Sequence, residues 1–233
     1  MLRLSDAHHF RKTVAGFCMI LAPVLFLAAS VVAPSSDSDP AAVLAATADH
    51  TDRFYISTVL AIAGAVFLLP ALLGLMHMLR ERQVAYGHVG GGLALLGNLM
   101  FMLLLGTSLM QWQMVRGGAD QSEMAALMDR FTETAGSAVF LFFTLAFTVG
   151  LIVLAAGLYR ARAVHWSTAG ALSLGAVLLQ IAFFVGNTAA WYIVATAVLL
   201  VGFVTIGRMV LLETDEEWEH TPEFRGFRPA ATH

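Results

Sequence analysis

The stretch Val89–Val115, VGGGLALLGNLMFMLLLGTSLMQWQMV, contains no Asp, Glu, Lys or Arg, and its only side-chain amide before Gln111 is that of Asn98. At about 1.5 Å of rise per residue, a helix of about 20 residues crosses the ~30 Å hydrocarbon layer of a bilayer, and this run exceeds that length. It reads as a membrane-spanning helix. Five further runs of the same kind flank it: Thr13–Ala33, Phe54–Leu79, Thr134–Tyr159, Trp166–Gly186 and Ala189–Leu212. The polar gaps between them are short, so the expected fold is an all-α, six-span transmembrane bundle occupying residues 1–233 as one domain. Residues 213–233 form an acidic tail.

Composition agrees. The 233 residues are 58% hydrophobic and 12% charged, against about 45–50% and about 25% in soluble domains. A soluble globular enzyme is excluded. The net charge of −3 offers no basic surplus for nucleic-acid binding. The single cysteine, Cys18, lies inside the first run, so an intrachain disulfide is excluded. That first run follows Arg3, Arg11 and Lys12 like a signal peptide, but it is longer than the ~7–15 residues of a signal core. It is expected to be a retained anchor.

Orientation follows from the basic residues. Arg3, Arg11, Lys12, Arg80, Arg82, Arg160, Arg162, Arg208, Arg225 and Arg228 fall on one side of a six-span arrangement, and Arg53, Arg116 and Arg130 on the other. The excess side is expected to be cytoplasmic, which places both termini there in a multi-pass protein of the cell membrane, such as a bacterial inner membrane. Trp112 and Trp191 then lie near the outer interface and Trp166 near the inner one.

Two outer loops carry helix signals. Ser38-Asp39-Pro40 places a capping acid before a proline at the first helical position, with Ala41–Ala48 as the helix. Asp120-Gln121-Ser122-Glu123 has capping-box spacing, followed by Met124, Leu127, Met128 and Phe131 at helical intervals. That stripe suits a helix lying on the outer leaflet or closing over the bundle, or one merely packed against its neighbours. Asp52-Arg53-Phe54 and Asp129-Arg130-Phe131 precede spans two and four. Val14-Ala15-Gly16, Gly90-Gly91-Gly92 and Thr168-Ala169-Gly170 open spans one, three and five. Gly74-Leu75 and Gly157-Leu158 close spans two and four. The pattern suggests three tandem helical hairpins, the last without an outer helix.

With its small-residue first span, an outer loop ending in Arg53 and a third span beginning Tyr86-Gly87-His88-Val89-Gly90, the layout resembles small six-span bacterial membrane proteins grouped under a domain of unknown function. The resemblance covers nearly the whole chain and implies the fold. It supplies no catalytic residues.

No charged residue lies well inside any span, which argues against a proton-coupled pump. The polarity that remains is neutral. Ser137, Thr144 and Thr148 share a face of span four, and Ala169, Ser173, Ala176 and Gln180 a face of span five. By rise per residue, Asn98, Thr144, Thr148 and Gln180 all fall roughly 10–20 Å from the inner boundary. These four are the candidate ligand-binding residues. Interhelical hydrogen bonding explains such residues without a ligand; a polar patch in an apolar cavity would orient a lipid-like or small neutral molecule. Pro23 and Pro70 interrupt spans one and two and invite kinks there.

His77, His88 and His165 lie at one depth on three helices and are the candidate ligands for a metal or a haem. Asp49-His50-Thr51-Asp52 on the outer side reads as capping and solvent contact. Glu213–Glu219, around Trp218, reads as a solvated helical continuation. His-Glu-x-x-His, Cys-x-x-Cys, Gly-x-Ser-x-Gly, phosphate-loop and dinucleotide motifs are all missing. Three functions are therefore open: a non-enzymatic protein that binds or carries a hydrophobic or neutral ligand, a membrane redox or metal enzyme built on the histidines, and a structural or partner-binding subunit. Small-residue faces on spans three and five permit oligomerisation as well as intrachain packing.

Overall fold

The computed structural model describes residues 4–34, 40–117, 121–133, 135–185 and 189–220. Among them the chain is helical, in the order α1 (Leu4–Val32), α2 (Pro40–Asp49), α3 (Thr51–Met78), α4 (Val84–Arg116), α5 (Gln121–Glu133), α6 (Ala135–Arg160), α7 (Trp166–Val185), α8 (Ala189–Leu212) and α9 (Asp215–Trp218). Six of these, α1, α3, α4, α6, α7 and α8, are long and apolar enough to span a membrane. Their bounds follow the hydrophobic runs, with α1 and α4 starting several residues earlier because polar first turns extend a helix beyond its apolar part. The outer helices expected from the capping signals are α2 and α5. The capping residues Ser38, Asp39 and Asp120 lie outside the described residues.

The spans close a ring in chain order. α1 packs on α3, α3 on α4, α4 on α6, α6 on α7, α7 on α8, and α8 returns to α1. Consecutive short connections make neighbours of consecutive helices. The pairs α1–α3, α4–α6 and α7–α8 are the three hairpins, the first two enclosing α2 and α5. α5 packs on α2 and α6, with Met124 buried and Leu127 half exposed. The side chains of Met128, Phe131 and Ser137 lie outside the described residues.

Glycine sets how closely the ring is drawn. A Cβ added to Gly150 of α6 would stand 2.4 Å from the Ala94 nitrogen and 2.6 Å from the Gly90 oxygen of α4. One turn along, a Cβ on Gly97 would lie 2.5 Å from the Cβ of Phe147 and 2.6 Å from the Phe143 oxygen. Backbone meets backbone, as small residues allow in membrane helices. Below this seam, Leu72, Leu75, Leu79, Leu151, Leu154 and Leu158 form a core with no exposure. The other half of the ring does not fill.

Candidate ligand cavity

In that half a cavity of about 430 Å³ opens between the helices. All six spans contribute to its wall, and α2 covers it with Val43, Ala46 and Thr47. Phe26, Phe101, Phe147 and Phe203 make much of the surface, with the Phe26 and Phe101 rings edge to face at 6.0 Å. Among the described residues no Asp, Glu, Lys, Arg or His lines it. Pro23 of α1 is part of the wall; Pro70 of α3 is not.

Asn98, Thr144, Thr148 and Gln180 all line this one cavity. Counting residues along each helix placed them at a common depth, and the ring brings α4, α6 and α7 into contact so that the depths coincide in space. They do not form a four-membered hydrogen-bond cluster. Thr148 donates to Gln180 Oε1 at 3.2 Å, joining α6 to α7. Asn98 is 1% exposed and its Nδ2 donates to the Ala65 carbonyl of α3 at 3.0 Å. Since a carbonyl only accepts, this bond fixes which end of the Asn98 amide is nitrogen. Thr144 bonds back to its own helix, donating to the Leu141 oxygen at 3.0 Å.

This pairing leaves two atoms over. Asn98 Oδ1 and Gln180 Nε2 are buried and have no hydrogen-bond partner among the described residues. Each such group costs about 1–3 kcal/mol while unmet. One is an acceptor and the other a donor, and both belong to side chains of the cavity wall.

Sequence reasoning missed other polar members of the wall. Ser30, Thr47, Ser57 and Thr196 line the cavity, and each donates to a backbone carbonyl. The acceptors are Phe26 at 2.9 Å, Val43 at 2.8 Å, Ala29 at 3.0 Å and Tyr192 at 2.6 Å. Their hydroxyls are spent, so they lend the wall little polarity. The signal that points to Thr47 is the short outer helix expected over Ala41–Ala48, whose packing against the spans a capping signal does not give.

The histidines do not gather. His77 stacks on Trp218 at 4.7 Å between centroids, and its Nε2 lies 3.2 Å from the Trp218 carbonyl. His88 is exposed, with Nδ1 3.0 Å from the Val84 oxygen of its own helix. His165 is exposed and its Nδ1 lies 2.8 Å from the Ser167 hydroxyl. Among the described residues no three His, Cys, Asp or Glu side chains are grouped to hold a metal ion, Asp49, His50 and Asp52 included.

His77 instead belongs to a polar clamp at the arginine-rich end. The helix continuation expected across Glu213–Glu219 is not observed: α8 stops at Leu212 and α9 starts afresh behind a capping box. Thr214 Oγ1 accepts from the Glu217 N–H at 3.2 Å and Glu217 Oε2 accepts from the Thr214 N–H at 2.9 Å. The sequence Thr214-Asp215-Glu216-Glu217 carries that box in plain form. α9 folds back onto α1, and Trp218 is 3% exposed.

Charge pairs hold α9 in place. Lys12, 6% exposed, bonds Asp215 Oδ1 at 2.5 Å and the Glu213 carbonyl at 2.8 Å. Arg80 bonds Glu219 Oε2 at 3.1 Å, His8 lies 3.1 Å from Glu219 Oε1, and His220 lies 3.0 Å from Glu81. The Lys12 hydrogen bond, aided by His9, holds the Asp215 carboxyl below its ordinary range. Burial pushes Glu219 up, but the hydrogen bond and charge of Arg80, with His8 and His77, bring it below the usual value. Glu213 goes the other way: burial, then the nearby Glu217 charge, push its carboxyl up to about 7 against the pull of Lys12.

Comparison with protein-family models, with curated proteins and with solved structures gives no match.

Proposed function

We propose that this protein is a non-enzymatic, multi-pass membrane protein that binds a hydrophobic or small neutral ligand inside its helical ring, in a carrier or regulatory role. The observation that carries the reading is the meeting of Asn98, Thr144, Thr148 and Gln180 on one apolar cavity of about 430 Å³ with no Asp, Glu, Lys, Arg or His among its described lining residues. Apolar walls with a few convergent polar atoms are the general form of a small-molecule site. The wall excludes charge, so the ligand is neutral where it binds. Its polar group sits beside Asn98 and Gln180, and its apolar part runs along the phenylalanines toward α2. The basic excess at the end where α1 begins and α8 stops supports an orientation with that end in the cytoplasm.

The test is native mass spectrometry of the detergent-purified protein, with absorbance recorded on the same sample. A retained apolar molecule, displaced by added long-chain alcohol, is the expected result. A bare protein mass that takes up no such alcohol overturns the reading.

A further inference from the structure

The turn between α6 and α7 differs from the rest of the arginine-rich end. α6 ends with two crossed hydrogen bonds: the Ala163 N–H donates to the Leu158 carbonyl and the Arg162 N–H to the Tyr159 carbonyl, both at 3.0 Å. This helix stop requires a left-handed residue at the position of Arg162, whose φ is 59°. Glycine is the usual occupant because it has no Cβ to strain. Ala163 and Leu158 are fully buried, so packing holds the stop without help from the arginine side chain. An arginine stands where glycine fits more easily.

Its guanidinium is not consumed within the molecule. Arg162 is exposed and forms no ion pair among the described residues. Three acids of this end are engaged elsewhere: Asp215 with Lys12 and His9, Glu219 with Arg80 and His8, Glu81 with His220. Arg160, two residues away, is held 5.5 Å from the Tyr86 ring centroid and bonds the Tyr86 hydroxyl, which leaves most of its five N–H donors free.

These residues border a recess of about 420 Å³ lined by Tyr159, Arg160, Arg162, Val164, His165 and Trp166, with no acid among them. α7 begins at Trp166, so the positive end of a 20-residue helix adds to the same recess. His165 Nδ1 accepts from the Ser167 N–H at 3.3 Å, which fixes the ring beside the start of α7. Tyr159 and Trp166 are 55% and 67% exposed, at the ends of two spans, where aromatic rings sit at head-group level.

We infer that this recess binds a phosphate group, at the depth where a phospholipid presents one. Arg160 and Arg162 are the two guanidiniums that would grip it through parallel N–H···O bonds. The α7 N-terminus adds the positive end of its dipole, and Tyr159 and Trp166 flank the apolar part of the lipid. The site is separate from the cavity and does not rest on it.

Full-length protein in detergent, examined by native mass spectrometry, is titrated with phosphatidylglycerol and with diacylglycerol of identical chains, which lacks the phosphate, and separately with millimolar inorganic phosphate. Wild type is expected to retain phosphatidylglycerol about tenfold over diacylglycerol. Arg162→Gly is expected to unfold at the same or higher temperature while that preference falls to near parity; Arg162→Lys keeps part of it. Failure of inorganic phosphate to displace the lipid identifies a lipid head as the ligand. Displacement keeps the phosphate site and identifies the free ion. No preference in wild type, or a stabilised Arg162→Gly that keeps the preference, overturns the inference.

Discussion

At the arginine-rich end, α9 is fixed by charge: Lys12, Arg80, His8 and His220 each meet a carboxylate, and Trp218 is sealed beneath them. Around the cavity, by contrast, no Asp, Glu, Lys, Arg or His appears among the described lining residues, most hydroxyls donate to backbone carbonyls, and two amide atoms are left unmet. Both regions lie within one ring, so the difference is one of solvent. Near water an exposed ion pair is cheap to form and modest in value, whereas at membrane depth a neutral hydroxyl is best satisfied locally. Unmet polarity at depth therefore points to function more strongly than any number of pairs at the rim.

Several changes would break or sharpen this contrast. The largest effect is expected from Gly150→Val, which drives a side chain into the α4 backbone 2.4 Å from the Ala94 nitrogen. Overpacking costs about 1–3 kcal/mol even where side chains can yield, and here the obstacle is main chain. Loss of a monodisperse folded species on size exclusion is the expected outcome, and wild-type behaviour would refute the seam.

Trp218→Ala should come next. A buried Trp truncated to Ala costs about 3–5 kcal/mol, but the loss here is confined to the docking of α9. Hydrogen exchange is expected to rise across residues 213–220 while the spans stay protected. Uniform exchange throughout would show that the clamp supports the whole ring.

Gln180→Leu separates the two regions directly. It removes the unpaired Nε2, so the empty protein should gain about 1 kcal/mol, while retention of an apolar alcohol falls about tenfold. Thr148 keeps a weaker acceptor in the Ala176 oxygen at 3.5 Å. A variant that loses stability and keeps the alcohol would make Gln180 a packing residue.

The smallest effect is that of pH on the clamp. Glu213, raised to about 7 from 4.5, holds a proton in the folded state that the unfolded chain has lost. Docking is therefore favoured below about 4.5 and weakens as pH rises to about 7, by about 1 kcal/mol once partial exposure is discounted. Asp215 and Glu219, held low, act oppositely, and their contribution is lost only as pH falls through their depressed values. Protection factors at residues 213–220, corrected for the intrinsic pH dependence of amide exchange and followed from pH 5 to 8, should fall in wild type and fall less in Glu213→Gln.

How much of this was legible depended on whether a signal was local. The six spans follow from uninterrupted apolar runs, because bilayer thickness sets a length that a sequence either has or lacks. Asn98, Thr144, Thr148 and Gln180 could be placed by counting along helices, since depth is a one-dimensional quantity. What counting could not supply is azimuth: that Asn98 turns to the Ala65 carbonyl rather than to Gln180 depends on how α3 and α4 cross. The role of α2 as a wall was hidden for the same reason. The α9 clamp was legible and overlooked, because the acidity around Trp218 suggested solvent more strongly than the capping box at Thr214 suggested a new helix.

The closure of the ring has a consequence for biogenesis. The helix that completes it, α8, comes last of the spans, and its partner α1 comes first. Gly16 and Gly207 bring those two backbones together, and Lys12 reaches from α1 to Glu213 and Asp215 beyond α8. During synthesis α1 must wait in the bilayer, one face unmatched, until every later span has entered. The chamber comes into being only at that final step, so an assembly stalled earlier would present an open apolar cleft to lipid and chaperone rather than a smaller working protein.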